Sequence, residues 1–314
     1  MQIKSSIAIF SLCLLGLTGS AWAADAPVGA ALCVTCHDEE DLPDMSKTAH
    51  GFSADKRVPD CITCHGPSPT HARKPSGVSE RPHPDRLFIR KFAAPANERS
   101  AACLACHNKD PKRALWSGSQ HDNADIACNS CHKIHGNRDK VLSKATQAEV
   151  CYTCHKEQRS QMNRPSHHPV PEGKMTCSDC HNPHGSAGPK LAKRDSINDT
   201  CFTCHAEKRG PFVHQHEPVV EDCSLCHSPH GSTVASMLKT RAPMLCQQCH
   251  TPHVAGGVGA VGGQAGVAGV VGNTASGKNV VNLWQGRSCL NCHTQVHGSN
   301  NPAAVSPGPQ FLTR

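Results

Sequence analysis

The chain has 314 residues, of which 37% are hydrophobic and 4% aromatic, and its formal net charge is +7. Ordinary globular domains are about 45–50% apolar, so side chains alone are too few in Leu, Ile and Phe to fill a core for a chain this long. Its 21 cysteines and 23 histidines point to a scaffold stapled by metals or cross-links rather than to disorder.

Residues 1–23 read as a cleaved export signal. Lys4 supplies the positive start, "IAIFSLCLLGL" (7–17) the apolar run, and Ala21-Trp22-Ala23 the cleavage site. The run is short for a membrane span. Cleavage removes Cys13 and leaves 20 cysteines, and it lowers the net charge to +6 (31 Lys+Arg minus 25 Asp+Glu).

All 20 remaining cysteines fall in ten C-x-x-C-H motifs. In chain order they are Cys33/Cys36/His37, Cys61/Cys64/His65, Cys103/Cys106/His107, Cys128/Cys131/His132, Cys151/Cys154/His155, Cys177/Cys180/His181, Cys201/Cys204/His205, Cys223/Cys226/His227, Cys246/Cys249/His250 and Cys289/Cys292/His293. This spacing is the c-type haem attachment signature. Two thiols three residues apart can each add to a haem vinyl group, and the following imidazole falls under the iron. A redox CxxC or a disulfide framework has no need of a histidine after every pair. Structural zinc sites place a long loop between their cysteine and histidine pairs, which the adjacent Cys180 and His181 do not.

A longer repeat sits above the motif. "CYTCHKEQRSQMNRPSHHPV" (151–170) parallels "CFTCHAEKRGPFVHQHEPV" (201–219), and "CSDCHNPHGS" (177–186) parallels "CSLCHSPHGS" (223–232). The chain reads as five two-haem units, about 24–80, 95–140, 145–190, 195–235 and 240–314; two pentahaem halves fit the same count. A Gly-rich segment, 254–278, reads as a linker, since glycine is costly in a helix. The expected fold is a multihaem cytochrome: mostly coil, short helices such as 155–162, little or no β-structure, and an elongated row of ten haems in place of an apolar core.

Thirteen histidines lie outside the motifs. The expected sixth ligands are His50, His71, His121, His135, His184, His230, His253 and His297, with one from His167/His168 and one from His214/His216. The shared H-x-P-V frame aligns His167 with His216 and favours those two. His83 is left spare. Ten such ligands imply ten bis-histidine, low-spin, low-potential haems; methionine ligation would raise the potential, and the five methionines left after Met1 lie at no repeat position. His184 cannot turn round the rim to the iron held by His181, because three extended residues span at most about 10 Å. It should cap a neighbouring haem.

Each oxidised haem adds roughly one negative charge through its propionates, so the loaded protein is near neutral or mildly acidic and the basic sequence gives no case for nucleic acid. Ten closed haems packed into the mature chain are a conductor. Nine steps of only ~5 Å would already cover the ~40–45 Å of a bilayer.

The ten motifs, with "SHHPVPEGKMTCSDCHNPHG" (166–185) and "LWQGRSCLNCHTQVHGSNNP" (283–302), resemble the decahaem cytochromes of the MtrA/DmsE/MtoA/PioA family over essentially the whole mature chain. The resemblance implies an electron-transfer protein, not an enzyme, that sits in the periplasm and is threaded into an outer-membrane β-barrel porin. There it would link periplasmic or inner-membrane cytochromes or a quinol dehydrogenase to an extracellular cytochrome or to Fe(II)/Fe(III), in ferrous iron oxidation or in metal-oxide or dimethyl sulfoxide respiration. Two other readings stand beside it. One is a freely diffusing periplasmic shuttle. The other is a nitrite- or hydroxylamine-type oxidoreductase, which needs an open haem, whereas all ten motifs end in histidine and Tyr152 is the one tyrosine.

Overall fold

The computed structural model describes residues 29–37, 45, 48–51, 57–136, 138–250, 289–291 and 293–301. The export signal, the linker 254–278, Cys292 and His253 lie outside the described residues.

Among the described residues the chain is mostly coil, with eleven α-helices, short 3-10 turns and isolated β-bridges in place of strands. The helices are α1 (Ala30–Cys33), α2 (Cys61–His65), α3 (Pro69–Ala72), α4 (Ala96–His107), α5 (Gln120–Asn123), α6 (Cys128–Cys131), α7 (Gln147–Cys151), α8 (Lys156–Met162), α9 (Cys177–Cys180), α10 (Ile197–Phe202) and α11 (Glu217–Glu221). None of the described helices is long and apolar enough to cross a membrane.

The motifs explain why the helices are so short. Each C-x-x-C-H closes one helical turn. The histidine N–H donates to the first cysteine carbonyl, for example at 2.9 Å in Cys128–His132 and 3.0 Å in Cys177–His181. One turn brings residues three and four apart onto a common face, so both thiols and the imidazole look the same way. Capping residues start these turns. Asp60 and Thr176 form capping boxes ahead of α2 and α9, satisfying backbone donors that a one-turn helix otherwise leaves open. In the third, fifth and seventh motifs the first cysteine lies in a helix that begins ahead of it, α4, α7 and α10.

The apolar core is small. Trp116, Ala127, Tyr152, Met162, Val170 and Ala192 are its buried members among the described residues, and only Tyr152, Met162 and Val170 form a cluster. Instead, one continuous channel of about 6060 Å³ runs through the fold, lined by the motif cysteines and histidines. Divided over the ten motifs this is about 600 Å³ each, inside the roughly 300–1,000 Å³ of a single small-molecule pocket.

Consecutive units also meet through the glycine of the C-H-x-P-H-G segments. At Gly185 (φ 116) a Cβ would lie 2.0 Å from the Leu115 carbonyl oxygen, and at Gly231 (φ 139) 2.2 Å from that of Gln161. Only glycine takes this backbone and this approach together.

Candidate haem sites

The first cysteines of paired motifs lie together. The Cys103 and Cys128 thiols share a hydrogen bond that pushes Cys103 up and lowers Cys128 to about 6. Cys151 with Cys177 and Cys201 with Cys223 repeat this, each lowering the second thiol to about 7. Cys61 is raised by burial and then by Cys33, and Cys246 to about 11 by burial and then by Cys289. Polar side chains, one of them buried, hold the two motifs of a unit together: buried Asn198 Oδ1 accepts from the Cys223 N–H at 2.7 Å, and half-buried Gln147 Oε1 from the Ser178 N–H at 2.9 Å. The second cysteines make the other contacts. Burial raises Cys64, Cys131, Cys180 and Cys226, and each also feels the thiol of Cys106, Cys154, Cys204 or Cys249 respectively. The attachment sites therefore follow one another in chain order.

Nine motif histidines face a second histidine across a gap. His37 faces His71, with ring centroids 6.1 Å apart, His65 faces His135 (6.0 Å), and His107 faces His50 (6.0 Å). His132 faces His184 (6.1 Å), His155 faces His121 (6.2 Å), and His181 faces His230 (6.1 Å). His205 faces His168 (6.3 Å), His227 faces His297 (6.2 Å), and His250 faces His216 (6.0 Å). Two metal–imidazole bonds of about 2.0–2.1 Å, plus about 1.2 Å from each nitrogen to its ring centre, span about 6.4 Å. One iron fits each gap within a few tenths of an ångström. The interplanar angles, 10° to 86°, do not matter to the fit, because both rings contain the iron axis whatever their twist about it.

The ring nitrogens are sorted to match. Nδ1–H donates to a backbone carbonyl in His65 (Arg86, 3.1 Å), His71 (Pro82, 2.7 Å), His121 (Pro183, 2.8 Å) and His168 (Pro229, 2.8 Å). The same holds for His181 (Lys190, 3.0 Å), His216 (Val296, 2.8 Å) and His227 (Ser236, 2.8 Å). His132 uses a carboxylate, Asp139 Oδ2 at 2.6 Å. Such a bond fixes the tautomer that presents Nε2 to a metal and raises its basicity. Burial also holds His65, His135, His181, His184, His230 and His297 below the ordinary histidine range, keeping them in the neutral form that coordination requires.

The sequence favoured His167, but the ring opposite His205 is His168. His167 turns away, its Nδ1 on the Arg164 carbonyl and its Nε2 3.0 Å from Glu172 Oε1. Glu172 raises its pKa, and both ring nitrogens are engaged away from His205. His216 stands opposite His250, while His214 Nε2 donates to the Asn301 carbonyl at 3.0 Å. His83 meets no motif histidine; it stacks on Phe92 at 4.7 Å.

The pairs cross between units. His135, His184, His230 and His297 reach back to the second motif of the preceding unit. His50, His121, His168 and His216 reach forward to the first motif of the next. Among the nine described pairs, His37–His71 stays inside one unit.

Two polar atoms test the fit to a propionate-bearing macrocycle. Arg86 Nε and Tyr152 Oη are buried without a hydrogen-bond partner, and Tyr152 lines the channel. An unmet buried donor costs about 1–3 kcal/mol, and beside the channel a propionate oxygen would give Tyr152 the acceptor it lacks. Sequence reading did not single out Arg86, Asp139 or the Gly185/Gly231 contacts. The recurring P-H-G was a signal for the glycines; nothing in the sequence marked Asp139.

These sites define a multihaem c-type cytochrome carrying covalently bound haem. The doubled CXXCH motif family matches residues 167–210 and 216–255, and the family of cytochrome c-type protein NrfB-like matches 61–146. The multiheme cytochrome MtrA of Shewanella baltica (strain OS185) is 47% identical over 286 residues, covering 88% of this chain and 80% of that protein. The cytochrome c-type protein NrfB of Escherichia coli O6:H1 is 29% identical over 141 residues, covering 42% of this chain and 69% of its own length. NrfB of Haemophilus influenzae is 29% identical over 121 residues, 36% of this chain and 53% of that one. The chain belongs to the MtrA family of multihaem cytochromes, and it is an electron-transfer protein rather than an enzyme.

Proposed function

We propose that the chain holds ten bis-histidine haems in five two-haem units and conducts electrons across the outer membrane inside a β-barrel porin. One observation supports this above the others: nine opposed histidine pairs, each with an iron-sized gap, on attachment sites that follow one another in chain order. Each haem would be attached through its motif cysteines, with the motif histidine on one side of the iron and its facing histidine on the other. His253 is left to serve His293, completing ten. Closed coordination of this kind bars substrates from the iron and leaves electron exchange as the available chemistry. The similarity to MtrA supports a position in the periplasm against the outer membrane. It also supports periplasmic or inner-membrane cytochromes as partners on one side, and an extracellular cytochrome or Fe(II)/Fe(III) on the other. Bis-histidine ligation suits flow in either direction, including ferrous iron oxidation.

The test is reconstitution with an outer-membrane β-barrel porin, in liposomes that enclose a redox dye. External dithionite or Fe(II) should change the dye only when both proteins are present. A dye that stays unchanged while external reductant reduces the cytochrome fully would refute conduction and leave a diffusing shuttle.

A further inference from the structure

The same two-residue step recurs along the row. His121 donates to the Pro183 carbonyl (2.8 Å), and the next residue, His184, faces His132. His168 donates to Pro229 (2.8 Å), and His230 faces His181. His216 donates to Val296 (2.8 Å), and His297 faces His227. Each time, the carbonyl holds one site's sixth ligand and the following histidine reaches the site before it. The fourth instance is at the start of the row. His71, which faces His37, donates to the Pro82 carbonyl (2.7 Å), and the next residue is His83. His83 faces Phe92 rather than a motif histidine. It is the outward half of a joint, at the end of a repeat that elsewhere uses this step to couple neighbouring haems.

The surroundings of His83 are built for contact. Its ring lies on Phe92 (4.7 Å), and Phe92 and Ile89 are 60% and 56% exposed. The loop that carries them turns at Arg90, a non-glycine residue at φ 71, a conformation that persists only where the surroundings enforce it and that clusters at functional sites. Bonds from Ala94 N to the Leu87 carbonyl (2.7 Å) and from Ala93 N to the Arg90 carbonyl (3.1 Å) close the loop. Residues 71–99 carry seven Lys/Arg against three Asp/Glu, and one of the three, Asp85, accepts from the Ser68 N–H at 2.8 Å.

We infer that His83, Phe92 and Ile89, ringed by Arg81, Arg90 and Lys91, form a docking face for an acidic haem protein, which exchanges electrons with the site at Cys33/Cys36. The positive ring matches an anionic, propionate-bearing haem edge, and the exposed aromatic pair gives that edge a flat apolar seat. The step moves one electron from a ferrous to a ferric haem, forming no bond and releasing no proton. This inference rests on the electron-relay reading above.

The test is stopped-flow oxidation of a reduced, small acidic monohaem cytochrome c by the oxidised holoprotein, with a basic monohaem cytochrome c as control. The double substitution R90E/K91E should slow the acidic donor about tenfold at low ionic strength, the scale of electrostatic steering, and the loss should fade as salt shortens the Debye length. H83A/F92A should slow it severalfold at every salt concentration. Reduction by dithionite and the low-spin spectrum should be unchanged in both. Unaltered rates with the acidic donor, or equal losses with the basic one, would overturn the proposal. So would self-association of the wild type that F92A abolishes, which would make the patch a contact between copies. A protein that kept these effects but moved no electrons into liposomes would refute the conduit alone, and the converse would refute the docking face alone.

Discussion

At the scale of single residues, the neighbours His167 and His168 show where the sequence runs out. The H-x-P-V frame aligned His167 with His216, but a frame compares sequence positions, and a ligand is chosen by the direction of its ring. Glu172 captures Nε2 of His167, while the Pro229 carbonyl, 61 residues on, takes Nδ1 of His168 and leaves its Nε2 free. His168→Ala should therefore open the iron held by His205 and give one high-spin ferric signal in electron paramagnetic resonance, with His167→Ala spectroscopically silent; the reverse pattern would restore the sequence-based choice. Asp139 was equally unreadable, because its partner is fixed only once the chain turns back on itself. Its carboxylate on Nδ1 of His132 gives that ring more anionic character than the carbonyl-bound motif histidines have. Asp139→Asn should raise the potential of one haem by some tens of millivolts. A redox titration in which every component stays in place would show that Asp139 has no such role.

At the scale of elements, the one-turn helices were legible because C-x-x-C-H dictates its own geometry: the spacing needs a helical turn to aim three side chains together. The expected helix over 155–162 is present as Lys156–Met162. The supporting loops were not legible. Lys190 and Leu191 (φ 53 and 59), and Ser236 and Met237 (φ 58 and 54), are left-handed in the two parallel units. None of these residue types favours that region. Tertiary bonds hold them there: the Lys190 and Ser236 carbonyls take Nδ1 of His181 and His227, and Asn182 and Ser228 N–H donate to Leu191 and Met237, both at 2.8 Å. The C-H-x-P-H-G segments press on the preceding unit as tightly. Gly231→Ala would drive a Cβ into the Gln161 carbonyl at a left-handed φ, costing roughly 2–4 kcal/mol. The holoprotein's thermal midpoint should fall by several degrees, with its haem content intact. An unchanged midpoint would mean that the units do not meet there.

At the scale of the whole molecule, the sequence announced a row of haems but not how the row is locked. Ten motifs and their spare histidines are countable in one dimension; which histidine crosses to which neighbour is not. Among the described residues the second sites of the first four units are capped from the unit after, and the first sites of the last four from the unit before, with the first site of the chain capped from its own unit by His71. Each haem so held would tie two units together, and the sparse apolar core leaves that work to the cofactors. The geometry of the row is then fixed by ligation more than by side-chain packing. This interlocking is the central claim, and His184→Ala tests it most directly, read by intact mass and electron paramagnetic resonance of the oxidised holoprotein. The account predicts a mass with all ten haems still attached and one iron turned high-spin, at Cys128/Cys131. A protein that loses the haem at Cys177/Cys180, or that keeps ten low-spin irons, would contradict it.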